Sequence, residues 1–77
     1  MHELGITRNV VAICAEASKG AVVKRVTLVI GRESAVLPDS IRFCFDICAK
    51  GTTLEGATLE IEQPEGAELK IREMEVA

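Results

Sequence analysis

The stretch Val22-Val23-Lys24-Arg25-Val26-Thr27-Leu28-Val29-Ile30 decides the fold. In an extended chain Val26, Leu28 and Ile30 fall on one side and Arg25, Thr27 and Val29 on the other, a period of two in a β-branched run that Gly31 closes. A strand is predicted here, and the segments on either side of it read as helices.

Upstream, Ile6, Val10, Ile13, Cys14 and Ala17 recur at helical spacing between about Leu4 and Ser18, with Arg8, Asn9 and Glu16 elsewhere on the wheel. Lys19-Gly20 ends this helix, a basic residue followed by glycine. Downstream, Pro38 suits a first helical position and Asp39 complements the positive end of a helix dipole. The second helix runs to about Ala49 and closes at Lys50-Gly51. Ile41, Cys44, Phe45 and Cys48 form its apolar stripe, which Phe43 and Ile47 widen. So broad an arc suits packing on the sheet and on another helix, or a homodimer contact through Phe43 and Ile47.

Ala57 to Gln63 alternates again, Pro64-Glu65-Gly66 signals a short turn, and Ala67 to Val76 reads as a third strand. Paired as a hairpin, the two strands set Ile61 against Leu69, Leu59 against Ile71 and Glu60 against Lys70, with Glu62 against Glu68 as the one unfavourable pair. The inward parity of Leu69 and Ile71 passes to Met74 and Val76, which predicts a one-residue bulge at Arg72-Glu73. The fold class is therefore α+β, in the order α-β-α-β-β: a three-stranded mixed sheet with two helices packed on one face and a right-handed crossover between the first two strands. Which strand is central stays open.

The 77 residues allow a single domain, residues 1–77. At 48% hydrophobic and 27% charged residues the chain falls among folded domains and not disordered ones. Aromatic residues make up only 3%, so the core rests on small aliphatic side chains, and self-association would add to it. A net charge of −3, with no basic stripe, argues against nucleic acid as a partner. No signal-peptide pattern and no membrane span is visible, so the expectation is a cytoplasmic protein. Cys14, Cys44 and Cys48 have no Cys-x-x-Cys spacing and read as core residues in preference to a three-thiolate site. Glu60, Glu62, Glu65 and Glu68 read as a solvated face, not a calcium loop. With one histidine in the chain no nucleophile, base and orienting group can be assembled, and no enzyme is expected.

That histidine stands second, in Met1-His2-Glu3-Leu4. A terminal amine, the deprotonated amide of His2 and its imidazole Nδ1 close adjacent chelate rings in a plane, a geometry that suits Ni(II) or Cu(II). Glu3 offers a fourth donor through its carboxylate or its amide. The bulk of His2 should spare Met1 from removal. The bland reading is a solvated terminus with Glu3 as a first-turn acid favouring the helix start.

Met-His-Glu-Leu at the start is followed by Val-Lys-Arg-Val-Thr-Leu-Val-Ile-Gly at 23–31, Pro-Asp-Ser-Ile-Arg-Phe-Cys-Phe-Asp at 38–46 and Lys-Gly-Thr at 50–52. Glu-Gly-Ala-Thr-Leu-Glu-Ile at 55–61 and Glu-Leu-Lys-Ile-Arg-Glu-Met-Glu-Val at 68–76 complete the series. In these the chain resembles the HypA/HybF family of nickel-insertion accessory proteins for [NiFe]-hydrogenase maturation. The resemblance implies a metallochaperone that holds Ni(II) at Met1, His2 and Glu3. It also implies a HypB-type GTPase and the hydrogenase large subunit as partners. The family's zinc-binding domain, with paired Cys-x-x-Cys motifs, lies between its last two strands. This chain has only Pro64-Glu65-Gly66 there, so no zinc is expected. Gly5 departs from the serine common at that place, which loosens the first helical turn. The alternative is a relative without the zinc domain that acts as a protein-interaction module without metal.

Overall fold

The computed structural model describes residues 2–77 and, of His2, the backbone alone. Five elements follow one another: α1 (His2–Ser18), β1 (Val23–Ile30), α2 (Pro38–Ala49), β2 (Thr58–Glu62) and β3 (Leu69–Val76). They form the expected three-stranded mixed sheet, with boundaries within two residues of those read from the pattern.

The strand order is β2-β1-β3. β1 pairs with β2 in parallel, Val26 beside Leu59 and Leu28 beside Ile61. It pairs with β3 antiparallel, Val26 beside Met74 and Leu28 beside Ile71. The hairpin between β2 and β3 is therefore corrected: Ile61 does not face Leu69, nor Leu59 Ile71, nor Glu60 Lys70, because β1 lies between them. Both arrangements match apolar to apolar, but only the central place covers both edges and both faces of β1, the most apolar strand. Val26 and Ile30 are fully buried towards the helices, and even Thr27 and Val29 on the opposite face are 2% and 4% exposed.

The bulge is where parity puts it. Thr27 sits beside Glu73 and Leu28 beside Ile71, so Arg72 is the extra residue of β3, and Ile71 and Met74 both turn to the core. A compensating irregularity at Lys24 of β1 brings Val23 opposite Val76.

The core face of α1 is rotated from the expected stripe. Val10, Val11 and Cys14 are buried, and so are Glu3, Thr7 and Ser18, whereas Ile13 is 57% exposed. The rotation is possible because those polar side chains find partners: the Thr7 hydroxyl donates to the Glu3 carbonyl oxygen at 2.6 Å, and Ser18 bonds the Ala15 carbonyl and the Thr53 hydroxyl. On α2, Ile41, Phe45 and Ala49 are buried, while Phe43 and Ile47 stay 72% and 53% exposed. After α2 the chain turns at Gly51, in the left-handed region at φ 77°, and inserts Leu54 wholly into the core. That segment is anchored where the Val23 amide donates to the Thr53 carbonyl.

With β2 and β3 on opposite sides of β1, the connection between them must cross the end of β1. The amides of Gly31, Arg32 and Glu33 donate to the carbonyls of Glu68, Pro64 and Gly66, at 2.7 to 2.8 Å. The chains approach so closely that a Cβ on Gly31 would overlap the Gly66 carbonyl and meet the Glu68 nitrogen at 2.8 Å. Gly31→Ala is expected to cost about 2 kcal/mol or more, since the obstructing atoms are backbone. Urea denaturation of the variant, compared with Gly51→Ala, where a Cβ meets nothing but φ is positive, measures it.

Candidate nickel site at the start of the first helix

Of the three residues expected at the metal, Met1 lies outside the described residues and His2 is the first residue of α1, its side chain outside the description. Glu3 is fully placed. It is 8% exposed, and its Oε2 accepts the Leu37 amide at 3.1 Å.

That bond has a local reason. Leu37 is the N-cap of α2, in an extended conformation and without a side chain able to cap. Within one helix, a Glu three residues into the first turn reaches back to the N-cap amide. Here Glu3, from the start of α1, does the same for α2, so the two helix starts are joined. The Leu37 N–H bond holds the Glu3 carboxyl below the usual carboxylate range and outweighs the opposing effect of burial.

Glu3 also lines an open hollow of about 330 Å³ with Asp39, Ser40, Phe43 and Cys44 of α2. Cys44 is half-buried and unpaired. Asp39, read from sequence as a helix-start acid, thus shares the hollow with Glu3, a proximity that sequence spacing of 36 residues does not reveal. Among the described residues no three His, Cys, Asp or Glu side chains come close enough to hold a metal ion. Cys14 is buried on α1, where desolvation raises its thiol pKa, and it does not join Cys44 and Cys48 in a ligand set. No described helix is long and apolar enough to cross a membrane.

The architecture has a counterpart among solved structures. The solution structure of the Ni metallochaperone HypA from Helicobacter pylori superposes with a TM-score of 0.71, over 97% of this chain and 92% of that one, at 17% identity. The sequence also matches the family model described as hydrogenase/urease nickel incorporation, metallochaperone, hypA, over residues 1–70. Hydrogenase maturation factor HypA of Rippkaea orientalis is 72% identical over 61 residues, 79% of this chain and 54% of the relative. That of Trichodesmium erythraeum is 47% identical over 109 aligned positions, covering 99% of this chain and 96% of the relative. The chain belongs to the HypA family. It spans about half the length of most of the curated relatives it matches.

Glu3→Gln tests the joint between the helices. Because the folded carboxyl titrates below its ordinary value of 4.5, its stabilising contribution is full above that value and is lost as pH falls through the lowered one. Urea denaturation should find the variant less stable than wild type at pH 7, with the gap narrowing below pH 4.5.

Proposed function

We propose that this chain is the nickel-carrying domain of a metallochaperone, binding Ni(II) as cargo at Met1, His2 and Glu3 and releasing it to a maturation partner. Family membership together with the anchoring of Glu3 carries this reading. The amine of Met1 and the amide and imidazole Nδ1 of His2 supply three nitrogens. His2 stands in the first turn of α1, where amides lie outside the helix's own hydrogen-bond ladder, so exchanging its amide proton for the metal breaks no helical bond. As the Glu3 carboxylate already accepts from Leu37, the Glu3 amide suits the fourth place better than its carboxylate. The bond to Leu37 then acts as an anchor that keeps the first turn in position.

Each nitrogen must shed a proton, so uptake strengthens as pH rises through the ordinary imidazole range near about 6.5, and protonation favours release. A HypB-type GTPase and the hydrogenase large subunit are the receptors the family implies, in the cytoplasm, and the chain itself performs no catalysis. The family description includes urease as well as hydrogenase, so the receiving enzyme is a nickel enzyme of either class. We also infer that residues 1–77 form one nickel-binding domain whose 64–66 segment stands where longer relatives carry their zinc-binding domain. The alignment with the Trichodesmium protein has 109 positions against 77 residues, leaving at least 32 without a counterpart here.

Titration of untagged protein with nickel, followed by its absorbance and by calorimetry, tests the site. His2→Ala, and separately one residue added before Met1, should each weaken uptake by more than about 100-fold, beyond the roughly 10 to 100-fold typical of residues that only support a ligand. Unchanged affinity in either variant rejects the terminal chelate.

The exposed Phe43 and Ile47 favour a second reading, a protein-interaction module without metal. It predicts partner binding that survives His2→Ala and is lost on Phe43→Asp or Ile47→Asp. Capture of a HypB-type GTPase by each variant, with and without nickel, separates the two.

A further inference from the structure

β3 ends the sheet, and among the described residues its outer edge pairs with no strand. Unpaired edges invite a second chain, and short or heavily blunted edges are the usual protection. β3 is eight residues long, and its sequence, Leu69-Lys70-Ile71-Arg72-Glu73-Met74-Glu75-Val76, is complementary to itself when reversed. About an axis between Arg72 and Glu73, Leu69 meets Val76, Lys70 meets Glu75, Ile71 meets Met74 and Arg72 meets Glu73.

Complementary letters are not enough, because paired residues must also share a face. An antiparallel pair of regular strands related by a two-fold axis normal to the sheet places a residue opposite its own copy. An axis between two residues would set side chains of opposite faces against each other. The bulge removes this obstacle. Leu69, Ile71, Met74 and Val76 lie beside Ile30, Leu28, Val26 and Val23 on the helix side. Lys70, Glu73 and Glu75 lie beside Val29, Thr27 and Arg25 on the other side, and Arg72 joins them there through its ion pairs with Glu62 and Glu73. The order of faces is therefore itself a palindrome about Arg72-Glu73. Shifting the pairing by two residues in either direction sets an inward residue against an outward one.

We propose that β3 pairs antiparallel with β3 of a second copy of this chain, joining two three-stranded sheets into one of six strands. Lys70 and Arg72 then face Glu75 and Glu73 of the second copy, giving four opposite-charge pairs across the axis. Leu69 and Val76, which are 40% and 43% exposed, cover one another. Val76 of the second copy also closes the end of the apolar hollow of about 270 Å³ between α1 and β3, lined by Ile6, Ile13, Leu69 and Ile71 among others. Phe43 and Ile47 have no part in this contact.

Sedimentation equilibrium up to millimolar chain tests the proposal. Wild type should dimerise reversibly. Lys70→Glu and Glu75→Lys each turn two attractive pairs into repulsive ones and should each weaken self-association by about tenfold or more. Mixed together, the two variants regain opposite charges at both places and should form a heterodimer tighter than either homodimer. A wild type that remains monomeric, affinities unchanged in both variants, or a mixture that fails to associate each overturns it. Where a variant loses its native circular dichroism, isotope-filtered NMR of wild type decides: contacts between Ile71 of one copy and Met74 of the other support the pairing, and their absence rejects it.

Discussion

The structure depends on β1 being covered on every side. Its edges are taken by β2 and β3 and one face by the two helices, which leaves the face of Arg25, Thr27 and Val29 without a second layer. Side chains of the sheet itself cover that face. Arg25 reaches Glu75 at 3.0 Å, with Glu73 at 3.7 Å and Glu60 at 3.9 Å, and Arg72 reaches Glu62 at 3.3 Å. As exposed ion pairs each contributes at most about 1 kcal/mol. Thr27 and Val29 between them are nonetheless only 2% and 4% exposed, and long charged side chains can cover apolar surface with their aliphatic stems while the heads stay in water. Two costs are visible: among the described residues the buried Thr27 hydroxyl and the Arg25 Nε have no hydrogen-bond partner.

Once β1 is central, its crossover through α2 fixes where the second helix starts, and Glu3 ties the first helix to that point. The carboxylate at the start of α1 holds the N-cap amide of α2, so the residues that follow Met1 and His2 are held by tertiary structure even though they open a helix. A terminal chelate on a freely fraying end would lose conformational entropy on binding metal. For the terminal chelate proposed above, folding would meet part of that loss, through Glu3, Leu37 and the Thr7 hydroxyl on the Glu3 carbonyl.

What could be read from sequence follows from how local each signal is. The period of β1, the Lys19-Gly20 stop and the bulge at Arg72 are properties of neighbouring residues, and all three are present in the structure. The pattern does not distinguish a β2–β3 pairing from the observed one, because Leu59 and Ile61 match Ile71 and Leu69 as well as they match Val26 and Leu28. Only three-dimensional coverage of β1 separates the two. The face of α1 is hidden for a related reason: a hydrophobic wheel prefers Ile13 to Thr7, and it carries no sign that the Thr7 hydroxyl is satisfied by a carbonyl one turn earlier. Glu3 was legible as a first-turn acid, but the helix it caps lies 34 residues away.

The corrected strand order also changes what it takes to close this domain without an insertion. Between adjacent hairpin strands any tight turn would serve. Between β2 and β3 the chain has to clear the full width of β1, two strand spacings or about 9 to 10 Å. Residues 63–68 do so while lying against the end of β1, and the amides of Gly31, Arg32 and Glu33 take up their carbonyls. The Arg32 Nε adds a bond to the Gln63 carbonyl at 3.0 Å. A glycine at position 31 is thus the condition for a short connection, because any side chain there would lift the crossing strand away and leave those amides without acceptors. The short connection from β2 to β3 rests on that one close approach.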